Sequence, residues 1–140
     1  MDVLLASARS DLRFALEVLL REEPGMSVVG TATGTEGLLA LIGTNCPDLV
    51  VFDWELPGRP PGELLAAVRD LDCPPDTIVL GKDNAARDEA LVAGADTFVL
   101  RGTPPQALLK ALQQVRTQRA ASAGGRVAED EGISLETKGG

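Results

Sequence analysis

Two charged residues close apolar runs in this chain: Asp53 follows Leu49-Val50-Val51-Phe52, and Arg101 follows Thr97-Phe98-Val99-Leu100. An acid and a guanidinium at strand ends can lie against each other as a fixed salt bridge. Taken alone, Asp53 before Trp54-Glu55-Leu56-Pro57-Gly58 also reads as a turn or capping carboxylate. Arg101 likewise reads as an exposed strand-end cation worth little. Glu55 lies two residues past Asp53 and Asp83 two past Gly81, both on loops beside those strand ends. The plainer reading of each is a solvated loop acid. Lys82 has two readings, an anion donor or a solvated lysine. The chain has no His, which removes His-based triads and most zinc sites. Cys46 and Cys73 lack the CxxC spacing of a metal or redox site, and separate, small, buried or half-buried thiols in a reducing cytosol are expected.

The elements that must position these residues alternate along the chain. Val3–Ala6 is a short apolar run, and Leu12, Ala15, Leu16, Leu19 and Leu20 then recur at helical spacing until Pro24-Gly25. Val28-Val29 begins a second strand, and Thr33-Gly34-Thr35-Glu36 reads as a capping box before Leu38, Leu39 and Ile42. The uninterrupted run Leu49–Phe52 suits a parallel strand covered on both faces. Leu64, Leu65 and Val68 mark a third helix, Thr77–Leu80 a fourth strand, and Arg87–Ala93 a short helix ended by Gly94. Thr97–Leu100 is the fifth strand. Thr103, Pro104 and Gln106 open a last helix carrying Leu108, Leu109, Leu112 and Val115. This alternation predicts a doubly wound α/β fold with a five-stranded parallel sheet. Ligands in such sheets sit beyond the carboxyl ends of the strands, here Ser7-Ala8, Asp53, Gly81 and Arg101.

With 140 residues, 44% of them hydrophobic, the chain can build one core, mostly from Leu, Val and Ala because it has three Phe, one Trp and no Tyr. The net charge of −8 and the lack of a basic cluster argue against nucleic-acid binding by this domain. No stretch approaches the ~20 apolar residues of a membrane span. The first residues lack the basic start of a secretory leader, so a cytoplasmic location is expected. Residues 1–119 form the expected domain. Residues 120–140, with Ala120–Gly125 and the acidic Glu129-Asp130-Glu131, read as a flexible tail or linker stub.

The segment Pro47–Asp53 with its Pro57-Gly58 turn resembles the phosphoacceptor region of response-regulator receiver domains of two-component signalling. Val28–Ala32, Ala93–Leu100 and Pro104–Leu109 extend the resemblance over about residues 3 to 119. It is closest to the receivers that precede helix-turn-helix output domains. The resemblance implies a flavodoxin-like sheet of order 2-1-3-4-5 and a phosphoryl group passed from a histidine kinase to Asp53. It also implies an acidic pair holding Mg²⁺, a hydroxyl and a lysine on the phosphoryl oxygens, and a switchable aromatic residue at Phe98. Phe98 alone reads more simply as core.

The supporting positions depart from that pattern. The acidic pair falls on Ser7 and Ala8, the hydroxyl on Gly81, and the lysine on Arg101, which keeps the charge on a broader, planar head. Glu55 and Asp83 are the fallback metal ligands. Three functions compete. The leading one is an atypical, phospho-independent receiver that is not an enzyme, needs no cofactor, and meets a kinase, an output protein or a second copy of itself. The next is a working phosphoacceptor at Asp53. The third is a small nucleotide- or flavin-binding enzyme, against which Ala6-Ser7-Ala8-Arg9-Ser10 lacks a Gly-rich phosphate loop.

Overall fold

The apolar run predicted as a buried strand becomes β3 (Leu49–Asp53), all of it buried, at the centre of a parallel sheet. β1 (Asp2–Ala6) and β2 (Ser27–Ala32) lie on one side of it, β4 (Asp76–Gly81) and β5 (Thr97–Leu100) on the other, giving the order β2-β1-β3-β4-β5. The computed structural model describes residues 1–129, with side chains through residue 119. The helices are α1 (Ser10–Arg21), α2 (Thr35–Asn45), α3 (Pro61–Arg69), α4 (Asn84–Ala93) and α5 (Pro105–Glu129). Met1–Ala107 is one compact unit, and the described residues from 108 to 129 belong to a second.

Alternation along each strand splits the sheet's side chains between two faces. Leu4, Ala6, Val50, Phe52 and Val79 face one way and pack with Leu38 and Ile42 of α2, Leu64, Leu65 and Val68 of α3, and Ala90 of α4. The register sets Asp53 opposite Leu80 and Gly81 opposite Leu100, so the strand ends rise together at the carboxyl edge. β5 is held in that register by Asp96, whose carboxylate accepts from the Thr77 amide (2.8 Å) and hydroxyl (3.2 Å). In α5, Leu108, Leu112 and Val115 are buried while Gln113 and Arg116 are exposed, the pattern its periodicity requires.

Several local expectations are corrected. The Thr33–Glu36 capping box does not form: Gly34 is the N-cap of α2, without a side-chain cap bond. Glu36 instead pairs with Arg59 at 2.6 Å, and Thr35 Oγ1 accepts from the Arg59 amide at 2.9 Å. A Cβ on Gly58, whose φ is +121°, would run into that Thr35 hydroxyl, so glycine lets the β3–α3 loop lie against the start of α2. Thr103 does not cap α5. Its hydroxyl donates back to the Leu100 carbonyl (2.6 Å), and the helix begins at Pro105. α5 also runs past Arg119 to Glu129, in keeping with the helix propensity of Ala120, Ala121, Ala123 and Ala128. The rest of the expected tail, 130–140, lies outside the described residues.

Cys46 and Cys73 are not separate thiols. They form a disulfide with a Cα–Cα distance of 5.6 Å. Cys46 is the left-handed C-cap of α2 (φ 44°), and Cys73 follows α3. α2 and α3 cover the same face of the sheet, so their ends come together although the cysteines are 27 residues apart.

Candidate functional site

Asp53 ends β3 with only 3% of its surface exposed. Its Oδ1 accepts from the Glu55 amide at 3.1 Å, which folds the loop back over the strand end. Its Oδ2 faces the Ser7 hydroxyl and Arg101 Nη1, each at 3.5 Å. Ser7, Asp53 and Arg101 therefore gather at the carboxyl edge of the sheet, from three different strand ends. Ala8 is exposed and carries no donor. Gly81 lies at the end of β4, and its carbonyl accepts from the Arg101 amide at 2.8 Å, anchoring that residue's backbone.

The Arg101 side chain is only 15% exposed, and its other terminal nitrogen, Nη2, lies 3.1 Å from Glu55 Oε1. Lys82 Nζ reaches the second Glu55 oxygen at 3.2 Å. The four charges form a continuous chain, Asp53–Arg101–Glu55–Lys82, with two acids and two bases. Lys82, then Arg101, hold the Glu55 carboxyl below the usual glutamate range. The Asp53–Arg101 contact is longer than the roughly 2.7–2.9 Å of a charge-assisted hydrogen bond. Its attraction is therefore mainly Coulombic, about 4 kcal/mol at 4 Å and an effective dielectric of 20, before desolvation is subtracted. Glu55 is half-exposed, and surface pairs of its kind contribute little. The buried partner dominates.

The two fallback ligands are otherwise engaged. Glu55 is spent on Arg101 and Lys82, and Asp83 is the N-cap of α4, its Oδ1 accepting from the Ala86 amide at 2.8 Å. Among the described residues, no group of three or more His, Cys, Asp or Glu is placed to hold a metal ion. Trp54 Nε1 donates to Glu89 Oε1 at 3.3 Å, closing a cleft lined also by Glu55, Lys82 and Ala86. Phe98 packs half-buried against the core cluster beside Gly81. The links from Glu55 to Lys82 and Arg101 were not anticipated from the sequence. No spacing connects residues 55, 82 and 101, and only the convergence of strand ends could have suggested them.

The family model of the response regulator receiver domain matches residues 3–113. The chain belongs to that family, and its role is that of a receiver domain in two-component signalling. It is 32% identical over 114 residues to the nitrate/nitrite response regulator NarL of Escherichia coli K12, covering 80% of this chain and 53% of that protein. The chain spans about half the length of the curated relatives it matches first. Among solved structures it resembles the signal receiver domain of NarL from Mycobacterium tuberculosis, with a TM-score of 0.74 and 25% identity over 81% of this chain and 93% of that one. A LuxR-family response regulator from Aurantimonas sp. SI85-9A1 matches with a TM-score of 0.75 and 25% identity, covering 81% and 83%.

Proposed function

We propose that this receiver is a protein-binding module whose contacts do not wait for phosphorylation of Asp53. The observation that carries the reading is Arg101, whose guanidinium lies against Asp53 and Glu55 where a phosphoryl group and its metal would need room. Phosphoryl transfer depends on positioned cations that neutralise the charge moved. The Mg²⁺ that the family implies does not fit the donors present. Ser7 and Ala8 bring no carboxylate, Asp53 already faces a cation, Glu55 is shared by two, and Asp83 caps a helix. Gly81 supplies no hydroxyl. With two acids and two bases the site is charge-balanced without metal.

On this reading the chain catalyses no reaction of its own. Its partner is a protein: a histidine kinase, an output protein or a second copy. It acts in the cytoplasm, and the net charge of −8 keeps nucleic acid off this domain. No helix among the described residues is long and apolar enough to cross a membrane. One observation favours the alternative of a working phosphoacceptor, namely Asp53 itself, retained at the end of the central strand.

Acetyl phosphate with Mg²⁺ separates the two. The intact mass should stay unchanged, millimolar Mg²⁺ should leave Trp54 fluorescence undisturbed, and Asp53→Asn should keep partner binding. A Mg²⁺-dependent mass gain of one phosphoryl group, abolished by Asp53→Asn, would overturn the proposal. Glu55 or Asp83 would then be the metal ligand to test, by substitution with Gln or Asn.

A further inference from the structure

Gly81 is the last residue of β4, and its backbone is outside the left-handed region, so its φ does not demand glycine. The ring of Phe98 does. A Cβ on Gly81 would stand 2.6 Å from Phe98 Cζ, 2.7 Å from Cε1 and 3.1 Å from the Ala86 Cβ. Carbon atoms in favourable contact sit about 3.5–4.0 Å apart. The strand register explains the approach. Phe98 pairs with Val79 and Gly81 with Leu100. Residues two apart share a face, so the ring leans along β5 and lies over the position where residue 81 would carry its side chain.

We propose that Gly81 is a built-in vacancy that holds the Phe98 ring in one inward position, so that the β4–β5 surface beside α4 is kept in a single state whatever happens at Asp53. Any side chain at position 81 would compete with the ring for this space, and glycine removes the competitor. The same residue anchors Arg101, whose amide donates to the Gly81 carbonyl at 2.8 Å. The ring's seat and the cation facing Asp53 are thus fixed by one position. This inference rests on sterics and the proposed function on charge, so either can fail alone.

The three phenylalanines make the ring directly observable. With 4-fluorophenylalanine incorporated, ¹⁹F NMR should show Phe52 (0% exposed) protected from a soluble paramagnetic agent and Phe14 (69% exposed) unprotected. Phe98→Leu identifies the third resonance. It should be a single line whose protection lies between those of Phe52 and Phe14. Gly81→Ala and Gly81→Thr should shift it and cost it that protection. Protection that survives both substitutions, or that is already missing in the unaltered chain, would overturn the proposal. If Gly81→Thr does not fold, thermal melts of Gly81→Ala answer the same question in two backgrounds. A drop in Tm with Phe98 present that disappears in Phe98→Ala supports the vacancy, and equal drops in both overturn it. Acetyl phosphate with Mg²⁺ supplies the last arm: a Phe98 line that stays put supports the inference even if Asp53 gains mass, and a line that moves on phosphorylation overturns it.

Discussion

The Arg101 guanidinium serves two carboxylates in unlike surroundings, and the difference gives each a distinct signature. Asp53 is buried, so removing its cation leaves a charge faced, among the described residues, by the Ser7 hydroxyl and the Glu55 amide. Arg101→Ala should therefore cost about 1–3 kcal/mol in urea unfolding, the range for leaving a buried polar group without its partner. Most of that loss should vanish when Asp53→Asn is also present, and a full loss in that background would show that the pair is not the cause. Glu55 is open to water, and its pKa is lowered chiefly by Lys82 and less by Arg101. A depressed carboxyl pKa stabilises the folded state above the ordinary glutamate value, and that contribution is lost as pH falls through the depressed one. The Glu55 carboxyl signal in ¹³C NMR should titrate below an ordinary glutamate, and Lys82→Met should raise its midpoint more than Arg101→Gln does. An unshifted midpoint would mean that the bridges are absent in solution.

Among the elements, the strands and helices were legible because their signals are local. Leu49–Phe52 is uniformly apolar, and Leu108, Leu112 and Val115 recur at helical spacing, so burial follows from composition. What escaped the sequence depends on neighbours that only the fold supplies. Glu36 sits three residues after Thr33, as a capping box requires, yet Arg59 on another loop takes its carboxylate. Asp83 looked like a loose loop acid and instead caps α4. On sequence alone Glu55 is a fallback metal ligand, but two cations lie on it. Gly81 was visible as a missing hydroxyl, whereas the ring occupying its space was not. Cys46 and Cys73 show no motif, and their meeting follows only once α2 and α3 share a face. Closing a loop across their separation of 27 residues should stabilise the domain by about 3.5 kcal/mol on the chain-entropy account. Dithiothreitol, or the Cys46→Ser/Cys73→Ser pair, should lower the urea midpoint accordingly. Equal midpoints with and without reductant would show that the bond is not formed in solution.

At the scale of the whole molecule, charge decides which partners are open to it. Duplex DNA carries about one negative charge per 1.7 Å of axis, and proteins bind it by placing Lys and Arg on phosphates and releasing counterions. This chain has 21 acidic residues against 13 basic ones, so its net charge of −8 opposes approach. Of the basic residues, Arg21, Arg59, Lys82, Arg87 and Arg101 are already paired with carboxylates. Even a protein making no base contacts should bind best at low salt, where counterion release is most favourable. Fluorescence anisotropy with a labelled duplex in low-salt buffer is thus the most permissive test, and no saturable binding is expected there. Binding that appears at low salt and falls steeply as salt rises would contradict the expectation. Substituting Lys110, Arg116 and Arg119 with Gln would then locate it, because these three lie along α5 in a stretch without acidic residues. Loss of binding in that variant would mean that a local basic stripe outweighs the net charge of the chain.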